Sequence, residues 1–127
     1  MGAPVIDLHD AVLEGVIRRA GELAIQLRGV MSYDVEHGTA VRFDATVVLT
    51  DPEHDPVLPV GAKLDRGTIV LRDGRRTEDW GLLRARTPVR ELVLVTIDPS
   101  RELPLAGSRA ELRITSEPRP ARAPRTP

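Results

Sequence analysis

The chain contains no cysteine. That excludes a disulfide framework, thiolate ligation of zinc or an iron–sulfur cluster, and thiol nucleophiles. Aromatic residues are almost as scarce, with one Phe, one Tyr and one Trp in 127 residues. Single-stranded nucleic-acid binders stack bases on rows of aromatic side chains, and three rings cannot supply such a row. Lysine is reduced to Lys63, so 17 of the 18 basic side chains are Arg. No apolar run approaches the roughly 18–20 residues that a bilayer-spanning helix needs. The opening MGAPVIDLHD also lacks the basic-then-apolar order of a secretory signal. A cytoplasmic protein without a membrane partner is the resulting expectation.

What is present suits one small domain. At 127 residues the chain should bury roughly two-thirds of its unfolded surface, enough for a single core. The net charge of −1 hides an asymmetry. Residues 1–55 hold ten acids and four bases, residues 56–116 eight acids and eleven bases, and the last eleven residues one acid and three Arg. A uniformly basic field for nucleic acid is excluded, but a basic face is not. The tail from Ser116, SEPRPARAPRTP, has no large apolar side chain. Its four prolines predict an extended, solvated segment, with a polyproline-type ligand as the functional alternative. The expected organisation is a single β-rich domain over 1–115 and a disordered Pro/Arg-rich tail over 116–127.

Period-two alternation dominates the chain. Residues 39–50 place Val41, Phe43, Ala45, Val47 and Leu49 on one face and Arg42, Asp44, Thr46 and Thr50 on the other, which predicts a strand. Three prolines then end it in the loop DPEHDPVLP. GTIVLR, 67–72, runs into Asp73-Gly74, a hairpin dipeptide, and its partner is expected to start near Arg75 and include Gly81-Leu82-Leu83. VRELVLVTID, 89–98, is apolar on both faces over 92–95 and reads as a central strand. RAELRIT, 109–115, alternates again, and DPSRELPLAGS between these two reads as a loop.

The N-terminal third admits two readings. As a helix, 8–28 lines up Leu13, Val16, Ile17, Ala20, Leu23, Ala24 and Leu27, but it carries Gly15 and Gly21 internally at about 1 kcal/mol each and leaves Ile25 on the polar side. As a hairpin, VLEGVIRR turns at Ala20-Gly21-Glu22 into LAIQLRGV. The hairpin is favoured. The expected fold is therefore all-β: a small β-sandwich or partly open barrel of six to seven mainly antiparallel strands. An α+β fold with an N-terminal helix at 8–28 is the alternative.

LHDAVLEGVIRRAGELAIQLRG, Leu8 to Gly29, followed by Val41-Arg42-Phe43, resembles the opening of small bacterial β-rich domains. These begin with a Leu-His-Asp-x-x-Leu/Val strand, and some of their families are described as immunity-protein-like, from toxin–immunity systems. The resemblance covers residues 8–50. It implies a non-enzymatic binding protein.

Three constellations carry chemistry. His9-Asp10 pairs a base with a carboxylate, but consecutive strand residues point to opposite faces, so a structural role is expected. Asp51, Glu53, His54 and Asp55 offer oxygen ligands and one imidazole in a loop without the EF-hand spacing. Arg72, Arg75, Arg76, Arg84, Arg86 and Arg90 gather around the Asp73-Gly74 turn with Trp80 among them. Arg forks bind phosphate or carboxylate and an indole adds a stacking face, so Arg72, Arg75, Arg76, Trp80, Arg84 and Arg86 form the candidate binding surface. Ser32, Ser100, Ser108 and Ser116 fall in predicted loops or the tail, with no GxSxG elbow and no P-loop.

The expectation from sequence is a non-catalytic protein–protein interaction domain, immunity-like or an accessory subunit of a bacterial assembly. It names no catalytic residue, metal or cofactor, and its partner is a protein. One alternative is a small metal-dependent enzyme using His9, Asp10 and the 51–55 loop. The other is a nucleic-acid accessory protein using the Arg cluster, against which the scarcity of aromatics argues.

Overall fold

The computed structural model describes residues 4–121. Ten strands alternate along the chain: β1 (Val5–Asp7), β2 (Val12–Arg19), β3 (Glu22–Asp34), β4 (Thr39–Thr50), β5 (Leu64–Leu71), β6 (Arg76–Thr77), β7 (Thr87–Thr96), β8 (Arg101–Ala106), β9 (Arg109–Ile114) and β10 (Arg119–Ala121). A single 3-10 turn, Trp80–Arg84, is the helical element among the described residues. It is too short to cross a membrane, and no other helix there is long and apolar enough.

The fold is all-β. Seven strands in the order β1-β3-β4-β9-β7-β5-β6 curl into an antiparallel half-barrel, with β2 beside β3, β8 beside β7 and β10 beside β4. The open side is drawn together by backbone bonds. Leu13 donates to Ala62, Gly61 to Leu13, Leu64 to Ala11 and Asp10 to Leu64, at 2.7–2.9 Å. The hairpin reading of 8–28 holds: Arg19 pairs with Glu22 across Ala20-Gly21, and Gly21 takes the left-handed φ of 76° that the turn demands.

One extra residue re-phases β3. Leu23, Ile25 and Leu27 point inward, then the register shifts between Leu27 and Val30, and Val30 takes the inward place opposite Phe43. Gly29 sits in this bulge at φ 72°, where its amide donates to Asp44 Oδ1 and its carbonyl accepts from Arg42 Nη1. A second shift between Val70 and Leu71 does the same where β5 pairs with β7, so Val89 shares the interior with Leu92 and Leu94. The aliphatic interior of β1–β5 and β7–β9 is completed by Leu8, Ala11, Leu58, Trp80 and Leu83 from outside the strands.

Four expectations are corrected. Gly81-Leu82-Leu83 is not a strand: β6 ends at Thr77, and Asp79 Oδ1 accepts from the Gly81 amide at 2.9 Å to start the 3-10 turn. The i, i+3 spacing of that turn buries Trp80 and Leu83 and leaves Leu82 outside. The segment 98–108 contains β8, whose Leu103 and Leu105 face Leu94 and Leu92. Pro104 is tolerated there because, among the described residues, β8 pairs with β7 alone. Ser32 lies inside β3, opposite Val41 and Ile6. Of the tail, β10 pairs with residues 40–42 of β4, Ser116 Oγ accepts from the Asp44 amide, and Arg119 meets Asp44 Oδ1 at 3.1 Å. Residues 116–121 are thus extended and largely exposed, as expected, but they are ordered along β4 rather than disordered; residues 122–127 lie outside the described residues.

Candidate functional site

The arginines converge where two turns meet the start of β7. Asp73 makes the β5–β6 turn by accepting the Arg75 amide on Oδ1, while Gly74 supplies φ 93°. Beside it, Gly107-Ser108 joins β8 to β9, and the Ser108 amide donates to Thr50 at the end of β4. The third component is the start of β7, where Val89 donates to the Ser108 carbonyl and Gly107 to that of Arg90. Arg72, Arg86 and Arg90 each reach a neutral oxygen in this knot. Arg72 Nη2 donates to the Ser108 carbonyl at 3.2 Å, Arg90 Nη2 to the Arg72 carbonyl at 3.0 Å, and Arg86 Nη2 to Thr50 Oγ1 at 3.1 Å.

Fixing a guanidinium on a neutral acceptor holds its geometry without cancelling its charge. Among the described residues, Arg72, Arg76, Arg84, Arg86 and Arg90 have no carboxylate within 4.0 Å. Arg75 differs: its Nε meets Asp73 Oδ2 at 2.7 Å. The Asp73 carboxyl is held below the ordinary carboxylate range, first by the Arg75 amide and then by the Arg75 side chain. Arg109 was not picked out from sequence, yet it stands opposite Thr50 on β4 and opposite Pro88 on β7, with an exposed side chain. Only the strand register brings it to this face, and no local sequence signal marks it.

Trp80 does not belong to the surface. It is 1% exposed, and its Nε1 donates to the Gly67 carbonyl at 3.0 Å. The expected stacking face is therefore in the core, because the 3-10 turn rotates it inward. Leu82, on the opposite side of that turn, is 43% exposed and stands where an indole was expected. It forms a ridge between two shallow depressions. One, about 450 Å³, is lined by Leu71, Arg72, Asp73, Arg75, Leu82, Thr87 and Pro88. The other runs along Asp79, Gly81, Leu82 and Arg84 toward Pro4, Ile6 and Ser32.

The remaining candidates resolve differently. His9 and Asp10 lie in a turn rather than a strand, with Ala11 donating to Leu8 and Asp10 at φ 67°. The turn brings the two side chains to 3.6 Å, correcting the expectation that they point apart. His9 Nδ1 lies 2.8 Å from the Asp65 carbonyl, which ties the turn to β5. In the 51–55 loop, Asp51 Oδ2 accepts from Ser108 Oγ at 3.0 Å, whereas Asp55 is paired with Arg18. These carboxylates are thus engaged by different neighbours. Ligand atoms within 4.8 Å of one another occur instead at the exposed tip between β3 and β4, on Asp34, Glu36 and His37. Asp34 accepts both the His37 amide and its Nδ1 there, which places the Asp34 carboxyl below its ordinary range. That pairing is the hydrogen bonding of the turn itself.

No family model, curated protein or solved structure matches the chain.

Proposed function

We propose that this is a non-catalytic β-domain that acts by protein–protein contact, as an immunity-like inhibitor or an accessory subunit of a bacterial assembly. The observation that carries the reading is the Leu82 ridge beside arginines held on neutral oxygens. It joins an exposed aliphatic anchor to uncancelled, oriented positive charge, the combination that interface centres and rims use. The outer edge of β6, which ends the half-barrel and has no strand partner among the described residues, is a second contact that a partner strand can use. The 8–50 resemblance supports the same class.

Photo-leucine at position 82, incorporated in the cells that produce the protein, tests the reading. A discrete crosslinked protein is expected, its yield collapsing in the variant Arg72→Glu/Arg86→Glu while the melting temperature is retained. The same pair of charge reversals at Arg28 and Arg101, exposed on other parts of the barrel, should leave the yield unchanged. Absence of a crosslinked species, or a yield indifferent to reversal at Arg72 and Arg86, overturns the proposal.

A further inference from the structure

The face around Leu82 is shaped for one chemical class of partner. We infer that it receives an extended acidic segment of a protein, which seats one aliphatic side chain beside Leu82 and lays carboxylates along the flanking arginines. The inference rests on the protein-contact reading above and specifies its partner.

Charge complementarity comes first. Residues 71–91 contain six arginines and four carboxylates. Two of those carboxylates are already engaged, Asp73 by Arg75 and Asp79 by the amides of Ile6 and Gly81. The uncancelled guanidiniums are therefore in excess, and of the three held on neutral oxygens, Arg72 lines the depression beside Leu82, with Arg86 and Arg90 outside it. An anion that meets them need not order them first.

The floor supplies the second term. The two depressions share Leu82, so a chain crossing the ridge runs from Arg72 and Arg75 on one side to Arg84 on the other. Leu71, Leu82 and Pro88 give that path an apolar bed, which an aliphatic side chain fills and a sugar–phosphate backbone does not.

The third term separates peptide from nucleic acid. Base stacking needs a row of exposed rings, but Trp80 and Phe43 are buried, and the half-buried Tyr33, set beside the carboxylates of Asp79 and Glu78, is a single ring in a negatively charged setting. The overall charge of −1 also denies a polyanion any long-range field. A short acidic strand, recognised locally, meets neither obstacle. Because no strand among the described residues covers the outer side of the edge strand β6, its backbone is available to an extended partner.

Fluorescence anisotropy on the full chain decides the matter, with three labelled probes. These are a short peptide of alternating Glu and Asp around a central Leu, the same peptide with Ser for Leu, and a single-stranded oligonucleotide of equal charge. The leucine peptide is expected to bind, to weaken as salt is raised, and to lose about tenfold or more in affinity in Arg72→Glu/Arg86→Glu. Leu82→Ser should weaken the leucine peptide several-fold and leave the serine peptide unchanged. Equal binding of the two peptides, or tighter binding of the oligonucleotide, overturns the inference. If the leucine peptide fails to bind while the crosslink at position 82 persists and stays sensitive to charge reversal, the acidic-segment inference falls and the protein-contact reading stands. Loss of both removes both.

Discussion

Replacing Gly67 with alanine tests where Trp80 sits, and the sign of the effect discriminates. Gly67 has a backbone conformation outside the left-handed region, so nothing local forbids a Cβ. At such a position Gly→Ala ordinarily stabilises by about 0.4–1 kcal/mol, because the unfolded chain loses freedom. Here the added carbon would lie 2.6 Å from Leu8 Cδ1 and 2.7 and 2.9 Å from Trp80 Cζ2 and Cε2. Carbon atoms pack at about 3.5–4.0 Å, so the neighbours must retreat by about 1 Å. Neither has room: Leu8 is 0% and Trp80 1% exposed, and the indole is tethered to the carbonyl of Gly67 itself. Overpacking of this kind costs about 1–3 kcal/mol, and straining the tether adds a share of the hydrogen bond's ~1 kcal/mol. The steric cost wins, for a net loss of about 2 kcal/mol. At roughly 4 °C per kcal/mol for a domain this size, the melting temperature should fall by about 8 °C.

Circular dichroism melts and urea titrations measure this directly, with an unchanged urea slope showing that stability and not compactness has moved. Gly15→Ala is the matched control. Its Cβ meets only the terminal amide of Gln26, a flexible side chain able to swing aside, so its effect should stay within about 0.5 kcal/mol. Combining Gly67→Ala with Trp80→Phe should cost less than the two separately, since the smaller ring gives back the space. A melting temperature unchanged or raised in Gly67→Ala would refute the packing of Trp80 against Gly67 and reopen the indole as a contact residue.

Two further outcomes follow from other parts of the structure. Asp79→Ala removes the carboxylate that accepts from Ile6 and Gly81, at 3.0 and 2.9 Å, and so ties β1 to the 3-10 turn. It should cost about 1–3 kcal/mol and speed hydrogen exchange at the Ile6 amide, and undiminished protection there would refute the tether. Tyr33, the sole tyrosine, should ionise above the ordinary range, because burial opposes the phenolate and Asp7, Asp79 and Glu78 add negative charge nearby. A raised folded-state value means its contribution to stability is present below the usual tyrosine pKa and is lost as pH rises through the folded value. Titration of the phenolate absorbance band tests this, and a midpoint at or below that of free tyrosine would refute it.

The legible parts of this chain are those in which the strand period is intact. Val41 to Leu49 alternate without interruption, and β4 appears where expected, with its inward residues in the core. Gly21 belongs in a turn on conformational grounds alone, and that decided between hairpin and helix for 8–28. Where the period is broken, sequence reading failed for identifiable reasons. Pro104 masked β8 because proline argues against a strand unless the strand lies at an edge, and edges are assigned by tertiary pairing. Gly81-Leu82-Leu83 has strand-like composition, but the Asp79 carboxylate diverts it into a 3-10 turn.

The candidate site divides along the same line. Arg72, Arg75, Arg76, Arg84, Arg86 and Arg90 were visible as a cluster because they are close in sequence. Their separation into one cancelled and several uncancelled charges was not, because it depends on whether each guanidinium meets Asp73 or a neutral oxygen from a distant turn. Arg109 joined them through register alone, and Trp80 left them through the inward rotation of a single turn.

By itself, then, the sequence determined an all-β, cysteine-free domain with an aliphatic core and an arginine-rich segment. Alternation and glycine conformation are local properties, and composition needs no coordinates. Tertiary structure decided how far the sheet curls, where the bulges re-phase its faces, and whether leucine or tryptophan stands among the arginines. Those outcomes depend on contacts between residues far apart in the chain, and no local pattern encodes which of two adjacent side chains a distant strand will cover.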